Sequence, residues 1–293
     1  MEPTDVNDDI RNLPLFFDMK RNSGTLAESN RRNNSKGDTT MKGKLIFITG
    51  ATSGIGEGCA RKFAHEGCNL ILNGRNIEKL ESLKRELSAQ GTEVLTLPFD
   101  VRDRQAMRQA LDSLEGKWRN IDVLVNNAGL VIGMDKEHEG SLDEWDIVID
   151  TNIKGLLAMT RMIVPGMVER GCGHIINIGS IAGDAAYGGG SVYCATKAAV
   201  KALSDGLRID LVDTPLRVTN IKPGMVETNF SVIRFRGDQN KADAVYEGIR
   251  PLTGDDIADV VYYAASAPAH VQIAEVLVMP TYQATGTICH RQK

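Results

Sequence analysis

Tyr193 and Lys197 stand four residues apart in the segment SVYCATK, close to the start of a helical pattern. In a helix, this spacing places both side chains on one face. An ammonium group beside a phenol favours the phenolate and lowers the phenol's pKa from its ordinary value of about 10. The pair is therefore predicted to exchange a proton with an alcohol or a carbonyl group near neutral pH.

Two polar residues upstream complete a candidate catalytic set. Ser180 ends a strand-like run thirteen residues before Tyr193, and its hydroxyl group could hydrogen-bond the reacting oxygen. Asn152, in the segment DTNIKG, falls within a helical pattern and could anchor a water molecule that links Lys197 to solvent. Taken singly, a helical Tyr–Lys pair is more often surface packing, and a serine after a strand is more often a cap. Their occurrence together, downstream of a glycine-rich turn, favours catalysis.

The glycine-rich turn is TGATSGIG, which follows the apolar run LIFIT at residues 45–49. A glycine loop between a first strand and a helix lets backbone N–H groups and the helix N-terminus face a pyrophosphate. The spacing here is GxxxGxG rather than GxGxxG, and a tight turn can need glycine for its geometry alone. As a dinucleotide site, the turn would supply the contacts Gly50, Thr52, Ser53, Gly54, Ile55 and Gly56.

The residues after the second strand indicate which dinucleotide is bound. An acidic residue usually accepts the adenosine ribose hydroxyls at this point, but the sequence reads Asn73-Gly74-Arg75-Asn76. The guanidinium group of Arg75 suits a 2′-phosphate, with Asn76 beside it, so NADP(H) is predicted and NAD(H) is disfavoured. Alternatively, Arg75 is a solvated charge at the start of a helix.

Further cofactor contacts are predicted where the later strands end. Asp100 and Val101 follow the third strand, at the expected position of the adenine ring. Asn127, Ala128 and Gly129 end the fourth strand, beside the cofactor crevice. Because ligands of open α/β sheets bind outside the carboxyl ends of the strands, these residues are expected near the glycine turn.

Strand-like and helical patterns alternate along the chain. Strands are predicted at residues 45–49, 69–73, 92–99, 121–127, 174–180, 216–223 and 274–280. Helices are predicted from the glycine turn to residue 65 and at residues 76–89, 102–118, 142–170, 191–212 and 254–266. Such alternation is typical of βαβ units around a buried parallel sheet. We therefore predict an α/β fold over residues 41–293: a single doubly wound Rossmann domain, with a seven-stranded, mostly parallel sheet and helices on both faces.

Composition limits the classes of function. The 293 residues carry a net charge of −4, which argues against a nucleic-acid partner. No apolar run approaches the roughly 20 residues that span a membrane, so no membrane insertion is predicted. The five cysteines form no paired or metal-like spacing. They are expected to be reduced thiols of a cytoplasmic protein, and no metal site is predicted.

The first 40 residues differ from the rest, because only ten are apolar and six are asparagine. A segment of this kind buries too little apolar surface to offset the entropy lost on ordering. We expect residues 1–40 to be a disordered extension. Alternatively, they are an artefact of an upstream start site, since Met41 opens the compact beginning MKGKLIFITG.

Residues 44–280 resemble the short-chain dehydrogenase/reductase family. TGATSGIG, NNAG, Asn152, Ser180, YxxxK and Pro223-Gly224 stand in that family's order and spacing. The resemblance implies that Tyr193 is the acid/base, that Ser180 orients the substrate, and that Asn152 completes a proton relay. It also implies that Lys197 holds the nicotinamide ribose and that the chain forms a homotetramer, or else a dimer. The contacts implied around the nicotinamide are Tyr193, Lys197, Pro223, Gly224, Val226 and Thr228.

Longer stretches resemble one subgroup, the NADP-dependent 3-hydroxy acid dehydrogenases. These stretches are residues 124–180, the segment NFSVIRFRGDQNKAD and the segment SAPAHV. The resemblance implies reversible oxidation of serine, allo-threonine and related 3-hydroxy acids such as 3-hydroxypropionate, and reduction of malonic semialdehyde. The chain departs from the subgroup at Asn76, where a second arginine is usual.

A carboxylate substrate needs a counter-charge in its pocket. Arg234 and Arg236, in the loop predicted after the cofactor segment, are candidates for binding it; alternatively, both are solvated. Met225 and Tyr187 are expected to shape the pocket. Cys194 is a further candidate, although apolar packing is the better interpretation of that residue. Two other functions stay open at this point. One is a reductase of 3-oxoacyl thioesters or other small ketones that uses the same catalytic residues. The other is a non-catalytic NADP(H)-binding sensor, which the intact tyrosine and lysine disfavour.

Overall fold

The computed structural model describes residues 40–292, so the predicted extension at residues 1–40 lies outside the described part except for its last residue. Within that part, the strands are β1 (Leu45–Ile48), β2 (Asn69–Gly74), β3 (Val94–Pro98), β4 (Val123–Asn126), β5 (His174–Ile178), β6 (Arg217–Pro223) and β7 (Glu275–Val278). The α-helices there are α1 (Gly54–His65), α2 (Ile77–Ala89), α3 (Arg104–Asp112), α4 (Leu142–Ile149), α5 (Leu156–Arg170), α6 (Ser191–Asp210), α7 (Phe230–Arg234), α8 (Gln239–Ala244) and α9 (Gly254–Ser266).

The strands of the described residues form one sheet in the order β3-β2-β1-β4-β5-β6-β7, and every neighbouring pair is parallel. The predicted doubly wound α/β fold is confirmed, and the sheet is wholly rather than mostly parallel. The strand order reverses at β1, which pairs with β2 on one side and with β4 on the other. In open α/β sheets the ligand crevice lies at the carboxyl ends of the strands at this reversal.

Alternating side chains of β1 anchor the two layers of the core. Ile46 and Ile48 pack into the cluster that contains residues of α1 and α9. Leu45 and Phe47 pack into the opposite cluster, with Met159 of α5 among others. All four β1 side chains are buried, as a parallel strand covered on both faces requires. Strand β1, which leads into the glycine turn, is therefore packed on both faces.

Helix α1 packs directly against α9, although the two helices are distant in sequence. The rings of Phe63 and Tyr262 meet edge to face with centroids 5.7 Å apart. A Cβ atom on Gly58 would lie 2.8 Å from the backbone of Gly254, so this close approach requires glycine. The Lys62–Asp259 ion pair, with 3.1 Å between Nζ and Oδ1, lies on the same seam. Helix α9 thereby supports the helix that follows the glycine turn.

Three predicted elements differ in detail. The helix predicted at 102–118 ends at Asp112, and a 3₁₀ turn covers Gly116–Arg119. The helix predicted at 142–170 is continuous, but Asp150–Gly155 is wound as a π-helix between α4 and α5. The loop predicted to carry Arg234 and Arg236 contains α7 and α8, which are too short to give a helical period. Searched over the described residues, the helices include none that is long and apolar enough to cross a membrane.

Candidate active site

The glycine turn is shaped by backbone conformations and close approaches that exclude larger residues. Gly50 and Gly54 have φ angles of +66° and +55°, in the left-handed region that favours glycine. A Cβ atom on Gly54 would lie 2.7 Å from Cγ2 of Thr228. A Cβ atom on Gly56, within α1, would lie 2.5 Å from Nδ2 of Asn127 and would also collide with the carbonyl oxygen of Gly50. The first two glycines thus leave the backbone open, and the third lets the helix approach the turn.

Asn127, just after β4, ties the glycine turn to the neighbouring strand. Its Nδ2 donates to the carbonyl oxygens of Thr49 and Gly50, at 2.9 and 3.1 Å. The hydroxyl oxygen of Thr49 in turn accepts the backbone N–H groups of Asn127 and Ala128, at 3.0 and 2.9 Å. These bonds fix the two strand ends that border the crevice.

Arg75 leaves the end of β2 with a side chain that is 61% exposed and only weakly paired. Its Nη1 lies 3.8 Å from Oδ2 of Asp100, whereas Arg102 donates to both carboxylate oxygens of Asp100 at 2.7 to 3.1 Å. Burial acts to raise the pKa of Asp100, but the hydrogen bonds from Arg102 outweigh it and lower that pKa. The negative charge of Asp100 is therefore balanced by Arg102, and the guanidinium group of Arg75 stays available to bind an anion.

Asn76 has a local role at the start of α2. Its side chain accepts the backbone N–H of Lys79 at 2.9 Å and caps α2. The residue does not line the crevice, although it was predicted to contact the cofactor.

Tyr193 and Lys197 lie on α6 with buried side chains, 7% and 6% exposed. Nζ of Lys197 donates to the carbonyl oxygen of Ile178 at 2.8 Å and lies 5.8 Å from the centre of the Tyr193 ring. Burial lowers the pKa of Lys197 to about 8. Burial also raises the pKa of Tyr193 above its ordinary value, although a hydrogen bond with the side chain of Ser180 acts to lower it.

The structure contradicts the prediction that Lys197 lowers the pKa of this phenol, because the pKa of Tyr193 is raised. The physical reason is desolvation, which disfavours both the phenolate and the ammonium. At neutral pH Tyr193 is a protonated phenol. It can donate a proton to a carbonyl oxygen without prior ionisation.

Ser180 sits at the start of a 3₁₀ turn, Ile181–Gly183, directly after β5. Its Oγ accepts the backbone N–H of Ala182 at 3.1 Å, so the serine does cap a turn as well as face Tyr193.

Asp184, which comes directly after this turn, pairs with the buried Lys222 of β6 at 2.8 Å. Lys222 also pairs with Glu275 of β7 at 2.8 Å. This network holds the serine turn against two further strands.

Asn152 lies in the π-helical segment and is 2% exposed. Its Nδ2 donates to the carbonyl oxygen of Leu130 and to Oγ1 of Thr196, at 2.8 and 3.0 Å, and its Oδ1 accepts the N–H of Leu130 at 2.9 Å. The side chain therefore clamps the segment after β4 to α6. Single π turns inside α-helices recur at functional sites, and this one places the residue next to Lys197's helix.

A cavity of about 580 Å³ runs from the glycine turn to Tyr193. Most predicted site residues line it: Gly50, Thr52, Ser53, Gly54, Ile55, Arg75, Asp100, Val101, Asn127, Ala128, Gly129, Ser180, Tyr193, Lys197, Pro223, Gly224, Val226, Thr228 and Arg234. Four predicted residues do not line it: Gly56, Asn76, Asn152 and Arg236. Of the residues expected to shape the pocket, Met225 and Tyr187 line it. Cys194 instead packs behind the Tyr193 ring, in a small apolar cluster.

Arg234, the last residue of α7, brings a cation to the Tyr193 end of the cavity. Its guanidinium carbon lies 5.7 Å from the centre of the Tyr193 ring and 5.3 Å from that of Phe230. Its Nη2 donates to the hydroxyl of Tyr187 at 3.1 Å, and its buried Nε has no hydrogen-bond partner among the described residues. No carboxylate of residues 40–292 pairs with this side chain.

The segment after β7 forms part of the cavity wall, which no motif in the sequence had indicated. Oε1 of Gln283 accepts the backbone N–H of Met225 at 2.8 Å, and Nε2 donates to the carbonyl oxygen of Thr285 at 3.0 Å. Gln283 is 5% exposed, and Cys289 also lines the cavity beside Met225. A buried glutamine in a turn-rich stretch has no local signature, so only the fold reveals this wall.

The protein groups fit a dinucleotide with a 2′-phosphate. The glycine turn lies at the N-terminus of α1, and Gly54 leaves room there for the side chain of Thr228, with which a Cβ atom would collide. Helix N-termini with free N–H groups favour phosphate. The exposed guanidinium of Arg75 borders the same crevice. Tyr193 and Lys197 lie at the cavity's other end.

Comparisons with known proteins agree with this geometry. A family model described as short chain dehydrogenase matches residues 44–238. The NADP-dependent 3-hydroxy acid dehydrogenase YdfG of Salmonella typhi is 50% identical over 249 residues, which cover 84% of this chain and 99% of that protein. Sulfoacetaldehyde reductase 2 of Chromohalobacter salexigens is 45% identical over 241 residues, 82% of this chain and 95% of that protein. The closed form of a serine dehydrogenase complexed with NADP⁺ matches with a TM-score of 0.80 and 47% identity, over 85% of this chain and 100% of that one.

Replacing Gly56 by alanine tests the close approach of α1 to the glycine turn. Because the new methyl group would collide with backbone and with Asn127, we expect the turn to shift and the dissociation constant for NADPH to rise by about tenfold or more. Titration of NADPH fluorescence measures this constant. The matched control is Gly206→Ala on α6, where a Cβ atom meets nothing within 4 Å. Unchanged NADPH affinity in Gly56→Ala would contradict the role assigned to this glycine.

Proposed function

This chain belongs to the short-chain dehydrogenase family, and we propose that it is an NADP-dependent oxidoreductase that reversibly oxidises the 3-hydroxyl group of small 3-hydroxy acids. Serine, allo-threonine and 3-hydroxypropionate are the substrates to test first. Relatives named as a 3-hydroxy acid dehydrogenase and a serine dehydrogenase, at 50% and 47% identity, support the substrate class. The observation that carries the proposal is Arg234.

Arg234 is a cation without an acidic partner among the described residues, beside Tyr193. Aromatic faces stabilise a guanidinium but leave its hydrogen-bonding edge unsatisfied. A substrate carboxylate satisfies that edge with charge-assisted, bidentate hydrogen bonds. The distance between the guanidinium and the phenol ring, 5.7 Å, suits a short acid whose reacting oxygen lies a few bonds from its carboxylate. A 3-oxoacyl thioester, which has no charge next to its reacting ketone, would leave Arg234 unpaired.

The protein's own groups supply the proton chemistry. Tyr193 donates its proton to the carbonyl oxygen in reduction and accepts the hydroxyl proton in oxidation. Ser180, which lines the cavity together with Tyr193, orients the same substrate oxygen. Lys197 holds a positive charge behind the phenol, and Asn152 fixes the backbone at Leu130 beside it. When bound, NADP(H) supplies the hydride acceptor or donor.

Cofactor binding is assigned to the residues along the crevice. The N–H groups of the glycine turn would hold the pyrophosphate, and Arg75 would pair with the 2′-phosphate. Lys197 would hold the nicotinamide ribose, and Pro223 to Thr228 would border the nicotinamide. Because Arg102 pairs with the carboxylate of Asp100, that carboxylate would not repel the 2′-phosphate.

A second candidate function is the reduction of small aldehydes that carry another anion, such as a sulfonate. The 45% identical relative named sulfoacetaldehyde reductase 2 supports it. The chemistry of the pocket is compatible, because a guanidinium binds a sulfonate through the same donors that bind a carboxylate. Sulfoacetaldehyde therefore belongs in the same substrate panel.

Assembly and location stay predictions. Exposed apolar side chains on α5 and α6, Leu157, Val168 and Ile209, support a homotetramer or a dimer that covers these helices. A cytoplasmic location is proposed from the cysteine spacing alone.

Replacing Tyr193 by phenylalanine removes the acid/base. We expect kcat for 3-hydroxypropionate oxidation to fall by about 10²- to 10⁴-fold, with NADPH binding retained.

In the wild type, burial keeps the phenol protonated at pH 7. Reduction should therefore be fast at pH 6–7, and oxidation should rise with pH up to about 8, where Lys197 begins to lose its charge. Absorbance of NADPH at 340 nm measures the rates of oxidation and reduction, for the wild type and for Tyr193→Phe. Full activity of the variant, or oxidation that falls with rising pH, would contradict the assignment.

Replacing Arg75 by glutamine tests the cofactor preference. Loss of the charge-assisted contact should raise KM for NADP⁺ by about 10- to 100-fold and leave KM for NAD⁺ nearly unchanged. The matched control is Arg85→Gln, which removes an exposed charge on α2. An equal effect on both cofactors would show that Arg75 does not read the 2′-phosphate.

Replacing Arg234 by leucine tests the carboxylate contact. We expect KM for 3-hydroxypropionate to rise by about 10- to 100-fold. The neutral methyl ester of the same acid should be little affected, so the ratio of kcat/KM between acid and ester should collapse. If the variant keeps the wild-type preference for the acid, another group binds the carboxylate.

A further inference from the structure

Arg236 does not reach the cavity, contrary to its predicted role as a second substrate ligand. It stands just beyond α7, the helix whose last residue is Arg234. The backbone N–H of Arg236 bonds to the carbonyl oxygen of Ile233 at 3.1 Å, and that of Gly237 bonds to Val232 at 2.8 Å. This pair of bonds is the helix-ending motif in which a left-handed residue, usually glycine, follows the helix.

Arg236 occupies the left-handed position of that motif, with φ of 53°. It is the only non-glycine residue with positive φ in the described part of the chain. Such a conformation is unfavourable for a side chain with a Cβ atom, and it persists only where other contacts hold it. A glycine at this position would accept the conformation freely. The arginine therefore depends on contacts that hold it there, and its side chain supplies some of them.

Two carboxylates from elsewhere in the sequence hold that side chain. Nε and Nη2 of Arg236 donate to Oε1 and Oε2 of Glu144, at 2.8 and 2.7 Å, in a bidentate pair. Nη2 also contacts Oδ2 of Asp135. Glu144 lies on α4 and Asp135 in the segment after β4, 92 and 101 residues away. Isolated surface ion pairs contribute little, but a bidentate pair shared with a second carboxylate is geometrically restrained.

A backbone contact connects these ion pairs to Arg234 itself. The N–H of Gly133, in the same segment as Asp135, donates to the carbonyl oxygen of Arg234 at 2.8 Å. A Cβ atom on Gly133 would lie 2.7 Å from Oδ2 of Asp135 and 2.8 Å from Nη2 of Arg236. The segment therefore lies directly against the end of α7.

We propose that Arg236 is a positioning residue: its ion pairs with Asp135 and Glu144 hold the end of α7 against the segment after β4 and so fix Arg234 over Tyr193 for the substrate's acid group. The inference rests on the proposed function for the substrate class alone. Arg236 touches neither substrate nor cofactor. It acts on substrate binding through the backbone of α7.

The deciding variant is Arg236→Gly, because glycine suits the left-handed position and keeps the helix end unstrained. We expect KM for 3-hydroxypropionate to rise by about fivefold to tenfold, the effect of losing charge-assisted contacts at a half-exposed site. The value of kcat, the dissociation constant for NADPH and the melting temperature should change little. Arg236→Lys should give an intermediate KM, because it keeps the charge but not the bidentate geometry.

Single variants of the partners test the same contacts from the other side. Glu144→Gln and Asp135→Asn should each raise KM, and combining either with Arg236→Gly should add nothing. The matched control is Lys136→Gln, which removes an exposed charge next to Asp135 that forms no ion pair with residues 40–292. Unchanged KM in Arg236→Gly, or an equal rise in Lys136→Gln, overturns the proposal.

Hydrogen exchange separates this inference from the proposed function. In Arg236→Gly, the amides of residues 231–237 and 131–136 should exchange faster than in the wild type, whether or not hydroxy acids are turned over. Wild-type protein that is inactive on every acid, with faster exchange in the variant, refutes the substrate class and supports the positioning role. Active wild type with unchanged exchange in the variant refutes the positioning role alone.

Discussion

The hydrogen bonds between Asn127 and the carbonyl oxygens of Thr49 and Gly50 join the two halves of the site. The sheet brings β1 and β4 side by side, but parallel pairing alone does not fix the loops beyond the strand ends. Asn127 does so, because one side-chain amide satisfies two carbonyl groups at the turn. The cradle for phosphate and the wall beside the reacting groups are thereby held in one frame, and the cavity between them has a defined length.

Burial decides how the reacting groups behave. Tyr193 and Lys197 are both shielded from water, so the charged form of each is disfavoured. Lys197 retains its place through the carbonyl oxygen of Ile178, not through a carboxylate. No protein anion therefore competes for its charge at that contact. Arg234 is likewise surrounded by aromatic rings and not by carboxylates of residues 40–292.

The fold and most of the site could be predicted, because they leave local signals. Seven apolar runs with helical patterns between them predict the sheet, and Tyr193 and Lys197 share a helical period. The rest depends on contacts between distant segments. Helix α7 is five residues long, shorter than any period needs. The partners of Arg236 are about a hundred residues away, and Gln283 is buried in a segment with no strand or helix pattern. Desolvation of the phenol likewise depends on packing, which residue spacing does not report.

The packing of α1 against α9 bears on how the phosphate site forms during folding. Gly58 lies against Gly254, so the packing of the helix that follows the glycine turn includes a segment nearly two hundred residues later. Contacts of such long sequence separation are costly to form, because the chain between their ends must lose its conformational freedom. A partly folded chain can therefore contain the whole glycine motif and still lack a phosphate site. Cofactor capture then selects molecules whose folding is complete, and mass action retains them in that state.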